Sequence, residues 1–164
     1  MKINVEKWIV HDKKDKVYDI ISYKLVDITY CCEKIKTFPL LDLHYEWRQN
    51  FDDMELLSDE FDQVLGVMLE ESYTEYDGED MQTDQRYHLI THCPRCGEVI
   101  EINVVKEVDK TDEYYKLKEE YIKVHGEWRD CDSIKLKSEL DRQWRSIDCK
   151  MNSYYKTDGF KENK

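Results

Sequence analysis

Apolar and polar residues alternate along several segments of the chain, as expected for strands with one buried face. The alternation is clear over residues 3–10, and a segment rich in β-branched and aromatic residues follows at 17–30. We expect one strand from the first segment and one or two from the second. Further strands are predicted at 86–92 and 98–108, on either side of a Cys-x-x-Cys turn. The pattern therefore predicts an antiparallel sheet.

Other segments show the helical spacing of apolar residues. Ser58 is a suitable N-cap for a helix over about 59–72, and acidic residues lie at its positive end. A polar loop is predicted to follow at 73–85. Two more helices, separated by a polar break at 130–133, predict an antiparallel helical hairpin. The apolar faces are Phe61, Val64, Leu65, Met68 and Leu69 in the first helix, Tyr114, Leu117, Tyr121, Val124 and Trp128 in the second, and Leu136, Leu140, Trp144, Ile147 and Met151 in the third.

The composition indicates a well-solvated protein, since 38% of its residues are charged and its formal net charge is −12. No apolar run approaches the ~18 residues that span a bilayer, so we expect no membrane partner. Charges interrupt the apolar positions of the first residues, which is not typical of a signal peptide. Without such a signal, the six cysteines indicate a reducing compartment, where thiols more often bind metal than form disulfides. We therefore expect a cytoplasmic protein.

The acidic residues are concentrated in one segment. No lysine or arginine occurs between Arg48 and Arg86, and the 37 residues between them include 13 carboxylates. The rest of the chain balances 25 lysines and arginines against 24 carboxylates. An acidic insertion at 49–85 therefore carries the whole net charge, and we expect it to be attracted to basic surfaces. The candidate partner-binding residues are Glu70, Glu71, Glu75, Asp77, Glu79 and Asp80.

Two pairs of cysteines are the strongest chemical signal in the chain. The segment Cys93-Pro94-Arg95-Cys96-Gly97 has the form of one half of a tetrahedral zinc site. Its two thiolates reach one metal ion, and the glycine permits the tight turn behind them. The second pair would complete the site, and we expect the fold of this region to depend on the metal. The predicted Zn²⁺ ligands are Cys31, Cys32, Cys93 and Cys96.

The adjacent cysteines leave an alternative open. Successive side chains on a strand point to opposite faces, so Cys31 and Cys32 bind one ion only if the chain turns at that point. Otherwise the fourth ligand is a histidine, and one of the adjacent cysteines is a small buried hydrophobic residue. The candidate histidines are His44, His88 and His92.

These elements and motifs together predict an α+β fold. Its first domain, 1–109, is a zinc-ribbon-type antiparallel β-sheet with an acidic helical insertion at 49–85. The C-terminal antiparallel helical hairpin follows at 110–151, and a flexible tail is predicted at 152–164. The chain of 164 residues is long enough to bury a hydrophobic core.

The cysteine segments resemble a pattern found in short accessory proteins of phages and prophages of low-GC Gram-positive bacteria. That pattern has a Cys-Cys-Glu-Lys element and a closing Cys-Pro-x-Cys-Gly, followed by alternating apolar and glutamate residues. Residues 31–35 and 92–102 are similar to it. The resemblance is limited to the ribbon, and it implies an accessory phage protein that acts inside a bacterial host.

The sequence favours binding over catalysis. Phosphate-binding glycine motifs and a nucleophile elbow are absent, and the chain has five glycines in all. We expect a non-enzymatic, zinc-stabilised interaction module that inhibits a host protein with a basic surface, such as a nucleic-acid-dependent or anti-phage defence enzyme. The alternative is a nucleic-acid-binding zinc-ribbon regulator, but phosphate contacts need a basic stripe that this chain lacks. Aromatic residues such as Tyr114 and Tyr121 offer a homodimer interface as a further binding mode.

Overall fold

The computed structural model describes residues 1–13, 19–38, 41–49, 61–76, 78 and 81–160, with only the backbone described at 37, 44–49, 61–64, 82 and 84–86. In these ranges the chain forms strands and helices, which confirms the predicted α+β class. A short 3₁₀ helix occupies Glu33–Thr37. The other elements are β1 (Lys2–Val10), β2 (Ile20–Thr29), β3 (Leu41–Gln49), β4 (Phe61–Tyr76), β5 (Met81–Ile90), β6 (Glu101–Asp109), α1 (Thr111–Arg129) and α2 (Ile134–Asn152).

The first sheet has the strand order β2–β1–β6 and is mixed. At one end of the β1–β6 pair, the amide of Glu101 donates to the carbonyl of Met1. At the other end, the amide of Lys110 donates to the carbonyl of Ile9, so the two strands run parallel. The prediction of an antiparallel sheet is wrong for this pair. Alternation shows which residues face a core but not the strand direction, and the long connection from β1 to β6 permits a parallel pair.

The second sheet has the order β3–β4–β5, and both of its strand pairs are antiparallel. It corrects two predictions. The helix predicted at 59–72 is wrong, because the chain from Phe61 to Tyr76 is the strand β4. The loop predicted at 73–85 is also wrong, because β4 continues to Tyr76 and β5 begins at Met81. The first residues of the predicted helix lie outside the described residues.

The burial of β4 explains why its consecutive apolar residues were compatible with the predicted helix. Val67 and Met68 are consecutive residues, yet they are 1% and 0% exposed. A run of this kind fits a buried helix and a buried strand equally well. The segment forms a strand because it pairs with β3 on one side and with β5 on the other. The residues that pair with Val67 and Met68 are distant from them in sequence.

The chain divides into two compact units. These units interleave along the sequence, and the predicted domain limits at 1–109 and 110–151 stay a prediction. The strands β1, β2 and β6 contribute residues to both units. The first unit comprises Met1–Val5, Leu25–Val105 and Asp158–Lys164, and the second comprises Glu6–Lys24 and Lys106–Thr157.

Each unit has its own buried apolar residues. The second unit has two clusters, and the partly buried Leu117 and Met151 pack against both of them. In the first unit the buried residues include Ile3, Val5, Leu41, Leu43, Val67 and Met68. In the second unit the clusters are Val10, Tyr114 and Tyr154, and Val124, Leu140 and Ile147.

The helices α1 and α2 bury most of the predicted apolar positions. Tyr114, Val124, Leu140 and Ile147 are buried, and the other predicted positions pack against them with one exception. The exception is Leu136, which is 54% exposed, so its assignment to the buried face is wrong. None of the helices in the described part of the chain is long and apolar enough to cross a membrane.

Residues after α2 make specific hydrogen bonds with β2, and the flexible tail predicted at 152–164 stays a prediction. In the second unit, the amide of Tyr23 donates to the hydroxyl of Thr157 at 3.2 Å. In the first unit, the amide of Leu25 donates to the carboxylate of Asp158 at 3.2 Å. These bonds tie the segment to β2, and residues 161–164 lie outside the described residues.

Candidate metal centre

The sulfur atoms of Cys31, Cys32, Cys93 and Cys96 lie within 4.8 Å of one another. The shortest contacts join the two halves of the cluster. The distance from the Cys31 Sγ to the Cys96 Sγ is 3.4 Å, and from the Cys32 Sγ to the Cys93 Sγ it is 3.9 Å. Cysteines about sixty residues apart in sequence are therefore brought to one point of the first unit.

A change in backbone direction brings the two adjacent cysteines to the cluster. The strand β2 ends at Thr29, the chain bends at Cys31 and Cys32, and the 3₁₀ helix Glu33–Thr37 begins immediately afterwards. The amide of Ile35 donates to the carbonyl of Cys32 at 3.3 Å and holds this turn. The chain therefore turns at Cys31 and Cys32, and this turn allows both thiols to reach one ion.

The second half of the cluster is a tight turn closed by backbone hydrogen bonds. The amide of Cys93 donates to the carbonyl of Glu98 at 2.8 Å, and the amide of Gly97 donates to the carbonyl of Cys93 at 2.9 Å. Gly97 has a φ of +75°, a conformation that side chains with a Cβ rarely adopt. The turn lies between β5 and β6, which belong to different sheets, so the predicted strand–turn–strand hairpin is limited to a short bridge between His92 and Val99.

Backbone amides favour the thiolate form of Cys93. Burial raises the pKa of Cys93, which is 2% exposed, but the amides of Arg95 and Cys96 donate to its sulfur. With help from the neighbouring thiols, these amides lower the pKa to about 7. The Arg95 amide nitrogen is 3.4 Å from the sulfur. Because the thiolate is the form that binds metal, this environment favours a ligand role for Cys93.

The spacing of the sulfurs fits a tetrahedral metal ion. Zinc–sulfur bonds of about 2.3 Å place thiolates about 3.8 Å apart around a tetrahedron. The observed contacts of 3.4 and 3.9 Å bracket that value. They are far longer than the ~2.05 Å of a disulfide bond, and all six cysteines are free. The four thiols therefore form a possible metal site.

The histidines named as alternative ligands have other contacts where the structure describes them. His88 Nε2 lies 2.9 Å from a carboxylate oxygen of Glu71, and His92 Nδ1 lies 2.9 Å from the hydroxyl of Thr91. The side chain of His44 lies outside the described residues. Among the described residues, the four cysteines are the single group with the geometry of a metal site.

We compared the chain with known proteins at the level of family, sequence and structure. No protein-family model, curated protein or solved structure matches it. The resemblance of the cysteine segments to phage zinc-ribbon proteins therefore stays a prediction.

Three of the candidate partner-binding carboxylates, Glu70, Glu71 and Glu75, lie on β4, which forms a hairpin with β5. β3 pairs with β4 as far as Leu69, and beyond that point β4 pairs with β5 alone in the described structure. We call residues 70–76 with 81–87 the acidic ribbon. Its register places Glu71 and Glu75 on one face and Glu70 on the other, because alternate strand residues face opposite ways. Asp77, Glu79 and Asp80 lie outside the described residues.

Sequence reasoning missed the apolar end of the acidic ribbon. Tyr76 is paired with Met81, and these side chains are 63% and 66% exposed. A hydroxyl–carbonyl bond of 2.9 Å joins Tyr76 to Gly78 in the turn between them. The Asp-Gly dipeptide at 77–78 is a signal for a hairpin, but the sequence interpretation placed it in a loop.

Two glycine substitutions with opposite expected signs test the turn behind the metal site. Gly97→Ala should lower the free energy of unfolding by about 1–2 kcal/mol, because alanine is strained at this positive φ. Gly126→Ala in α1 should raise it by up to about 1 kcal/mol, because alanine favours a helix. Neither added Cβ meets an atom within 4 Å, so steric overlap affects neither value. Denaturant unfolding measures both, and equal signs would contradict the assigned turn.

Proposed function

We propose that the chain is a non-enzymatic, zinc-stabilised interaction module that binds and inhibits a host protein with a basic surface. The observation that carries this proposal is the acidic ribbon, which is exposed on both faces. On one face Glu71 and Glu75 are exposed, and on the other Ser72, Thr74 and Tyr76 are exposed. The segment 49–85, which includes all of the ribbon except residues 86 and 87, has no lysine or arginine, and Arg86 is paired with Glu71 at the base of the ribbon.

Zinc is the metal that we propose for the four-cysteine cluster. Four soft thiolates in a tetrahedral arrangement suit Zn²⁺, and four protein ligands leave no coordination position for a substrate. A site of this kind stabilises a fold and does not supply catalysis. Cys31, Cys32, Cys93 and Cys96 would hold the ion and join the end of β2 to the turn after β5.

The charge of the ribbon supports a basic protein as the partner. A concentrated negative charge speeds the encounter with a positive surface and repels nucleic acids, whose phosphates are also negative. Many basic surfaces in bacteria are the nucleic-acid grooves of enzymes. We therefore propose inhibition by occupation of such a groove, in agreement with the phage resemblance. A nucleic-acid-binding regulator would need a basic stripe instead.

Charge removal on the ribbon tests this proposal. The tagged chain is purified from its native host, a co-eluting protein is identified, and its dissociation constant for the pure chain is measured. Glu70→Gln, Glu71→Gln and Glu75→Gln together should raise that constant about ten-fold and weaken its salt dependence, since each exposed charge contributes about 0.2–1 kcal/mol.

The matched control removes the same number of charges elsewhere. Glu119, Glu120 and Glu127 are exposed on α1, and their exchange for glutamine should leave the dissociation constant unchanged. An equal loss of affinity in both triple variants would mean that net charge, and not the ribbon, drives binding. Co-purification of nucleic acid in place of a protein would favour the regulator.

A further inference from the structure

The four cysteines of the cluster differ in their access to solvent. Cys96 is exposed, Cys31 and Cys32 are half-buried, and Cys93 is only 2% exposed. A small oxidant that arrives from solvent therefore reaches the sulfur of Cys96 first. Metal binding requires the thiolate, which is also the form of cysteine that attacks an oxidant. Cys96 is thus the accessible nucleophile of the cluster.

A sulfur of the other half of the cluster lies close to Cys96. The Cys31 Sγ is 3.4 Å from the Cys96 Sγ, so the two sulfurs must approach by about 1.4 Å to form a disulfide. Neither sulfur belongs to the buried Cys93. Cys31 is therefore the thiol that is placed to react with an oxidised Cys96.

The competing disulfides are less favourable. The sulfurs of Cys32 and Cys93 are farther apart, at 3.9 Å, and Cys93 is buried and held by the Arg95 amide, which donates to its sulfur at 3.4 Å. Cys31 and Cys32 are adjacent, and neighbouring Cα atoms are about 3.8 Å apart. This distance is shorter than the roughly 4.4–6.8 Å that disulfides require.

A contact without sulfur also holds the two halves of the cluster together. The guanidinium of Arg95, inside the turn, lies 4.8 Å from the ring centroid of Phe38, which directly follows the 3₁₀ helix. A cation over an aromatic ring at this distance is attracted to it. This contact does not depend on a metal ion. It therefore favours a disulfide within one chain over one between chains.

We propose that Cys31 and Cys96 are a peroxide-sensitive pair, in which oxidation forms a disulfide and expels the metal. The disulfide removes two of the four thiolate ligands. A structural zinc site needs four ligands, so Cys32 and Cys93 alone would not retain the ion. The disulfide would join the same two segments as the metal, which are the end of β2 and the turn after β5.

The reaction balances with one molecule of hydrogen peroxide as the oxidant. The Cys96 thiolate attacks a peroxide oxygen, so an S–O bond forms, the O–O bond breaks and hydroxide leaves. The Cys31 thiolate then attacks the sulfur of this sulfenic acid, so an S–S bond forms and a second hydroxide leaves. Each hydroxide takes one proton from the solvent. Two thiolates are oxidised to one disulfide, and the peroxide is reduced to two molecules of water.

This inference rests on the metal site of the proposed function and adds a means of regulating it. It concerns the oxidised chain, whereas the charge variants of the acidic ribbon test partner binding by the reduced chain. The two experiments therefore fail independently of each other.

The test uses the full chain, purified in the reduced form and loaded with zinc. Hydrogen peroxide is added, and a chromophoric chelator follows the zinc that is released. Free thiols are then alkylated, and mass spectrometry of the digested chain locates the disulfide. We expect one Cys31–Cys96 disulfide for each zinc ion released, with Cys32 and Cys93 alkylated. A thiol reductant and added zinc should restore the metal content.

Two matched histidine variants locate the site of attack. Cys96→His and Cys32→His each leave three cysteines and one histidine, which is also a zinc-binding ligand set. Cys96→His should release zinc at least about ten-fold more slowly than the wild type, because the accessible thiolate is gone. Cys32→His keeps the reactive pair and should release zinc at the wild-type rate. Cys149→Ser removes an exposed thiol outside the cluster and should change nothing.

Other outcomes overturn the inference. A Cys32–Cys93 or Cys93–Cys96 disulfide in the wild-type chain would reject the assigned pair, and this result does not depend on the folding of any variant. Zinc that stays bound after the disulfide forms would reject expulsion of the metal. Equal rates in the two histidine variants would reject attack at Cys96. All of these results leave the proposed function intact, whereas a reduced chain that binds no zinc would reject the metal site together with this inference.

Discussion

Cys93→Ser is expected to abolish stoichiometric metal binding and to destabilise the first unit severely. The sulfur that it removes is buried and lies 3.9 Å from the Cys32 sulfur, at the junction of the two halves of the cluster. Structural zinc contributes about 10–16 kcal/mol of binding free energy in small metal-dependent folds. The net stability of a domain is about 5–15 kcal/mol, so loss of the metal removes a comparable amount.

Elemental analysis and hydrogen exchange measure this effect. The pure, reduced protein should contain one zinc ion per chain, and the Cys93→Ser variant should contain much less. Exchange should accelerate in β3, β4 and β5, which belong to the first unit. Cys149→Ser is the matched control, because Cys149 is exposed and lies outside the cluster. An unchanged melting temperature and metal content in Cys93→Ser would reject the proposed metal site.

The same measurements decide which residue is the fourth ligand. Cys32→Ser should lower the metal content as Cys93→Ser does, since the sulfurs of both residues lie in the cluster. If a histidine is the ligand instead, Cys32→Ser should retain the metal, and His44→Asn, His88→Asn or His92→Asn should lose it. The contacts of His88 and His92 with Glu71 and Thr91 favour the first result.

The clustering of the four cysteines was largely predictable because its geometry is local in each half. The turn at 93–97 needs a glycine with positive φ, and Gly97 supplies it within the motif itself. In the other half, the two adjacent cysteines reach one ion only if the chain turns at Cys31 and Cys32. The sequence did not predict whether the chain turns there, because that turn depends on the 3₁₀ helix that follows.

The helices were predictable for a related reason. Their hydrogen bonds are local, and their apolar stripes repeat at the helical period over five turns. Nearly all of the predicted positions are therefore buried or partly buried. Leu136 is an exception near the start of α2, where a leucine fits the period but has no neighbour to cover it in the described structure.

The strand β4 was not predictable from the same kind of pattern. The run around Val67 and Met68 is apolar on both faces of the sheet, because these two side chains point to opposite faces and both are buried. Local spacing cannot distinguish this arrangement from a helix. The acidic ribbon depends on β4 being a strand, so the same error also hid its exposed pair of Tyr76 and Met81. The parallel pairing of β1 and β6 is also set by contacts between residues about a hundred positions apart.

Leu140→Ala is expected to lower the free energy of unfolding of the second unit by about 2–4 kcal/mol. Leu140 is 8% exposed and packs with Val124 and Ile147, so its truncation removes buried area and leaves a cavity. Leu136→Ala is the matched control on the same helix, because Leu136 is 54% exposed. It should change the free energy by less than about 0.5 kcal/mol. The substitution is identical, so differences in helix propensity cancel.

Tryptophan fluorescence during denaturant unfolding measures both variants. Trp128 and Trp144 lie 6.0 Å apart between ring centroids and pack against the cluster that contains Leu140. Their emission therefore reports the loss of this core directly. Equal destabilisation by Leu136→Ala would mean that Leu136 is covered in solution, by a second copy of the chain or by residues outside the described ranges. A concentration-dependent midpoint would then identify the second copy, because only association makes stability depend on concentration.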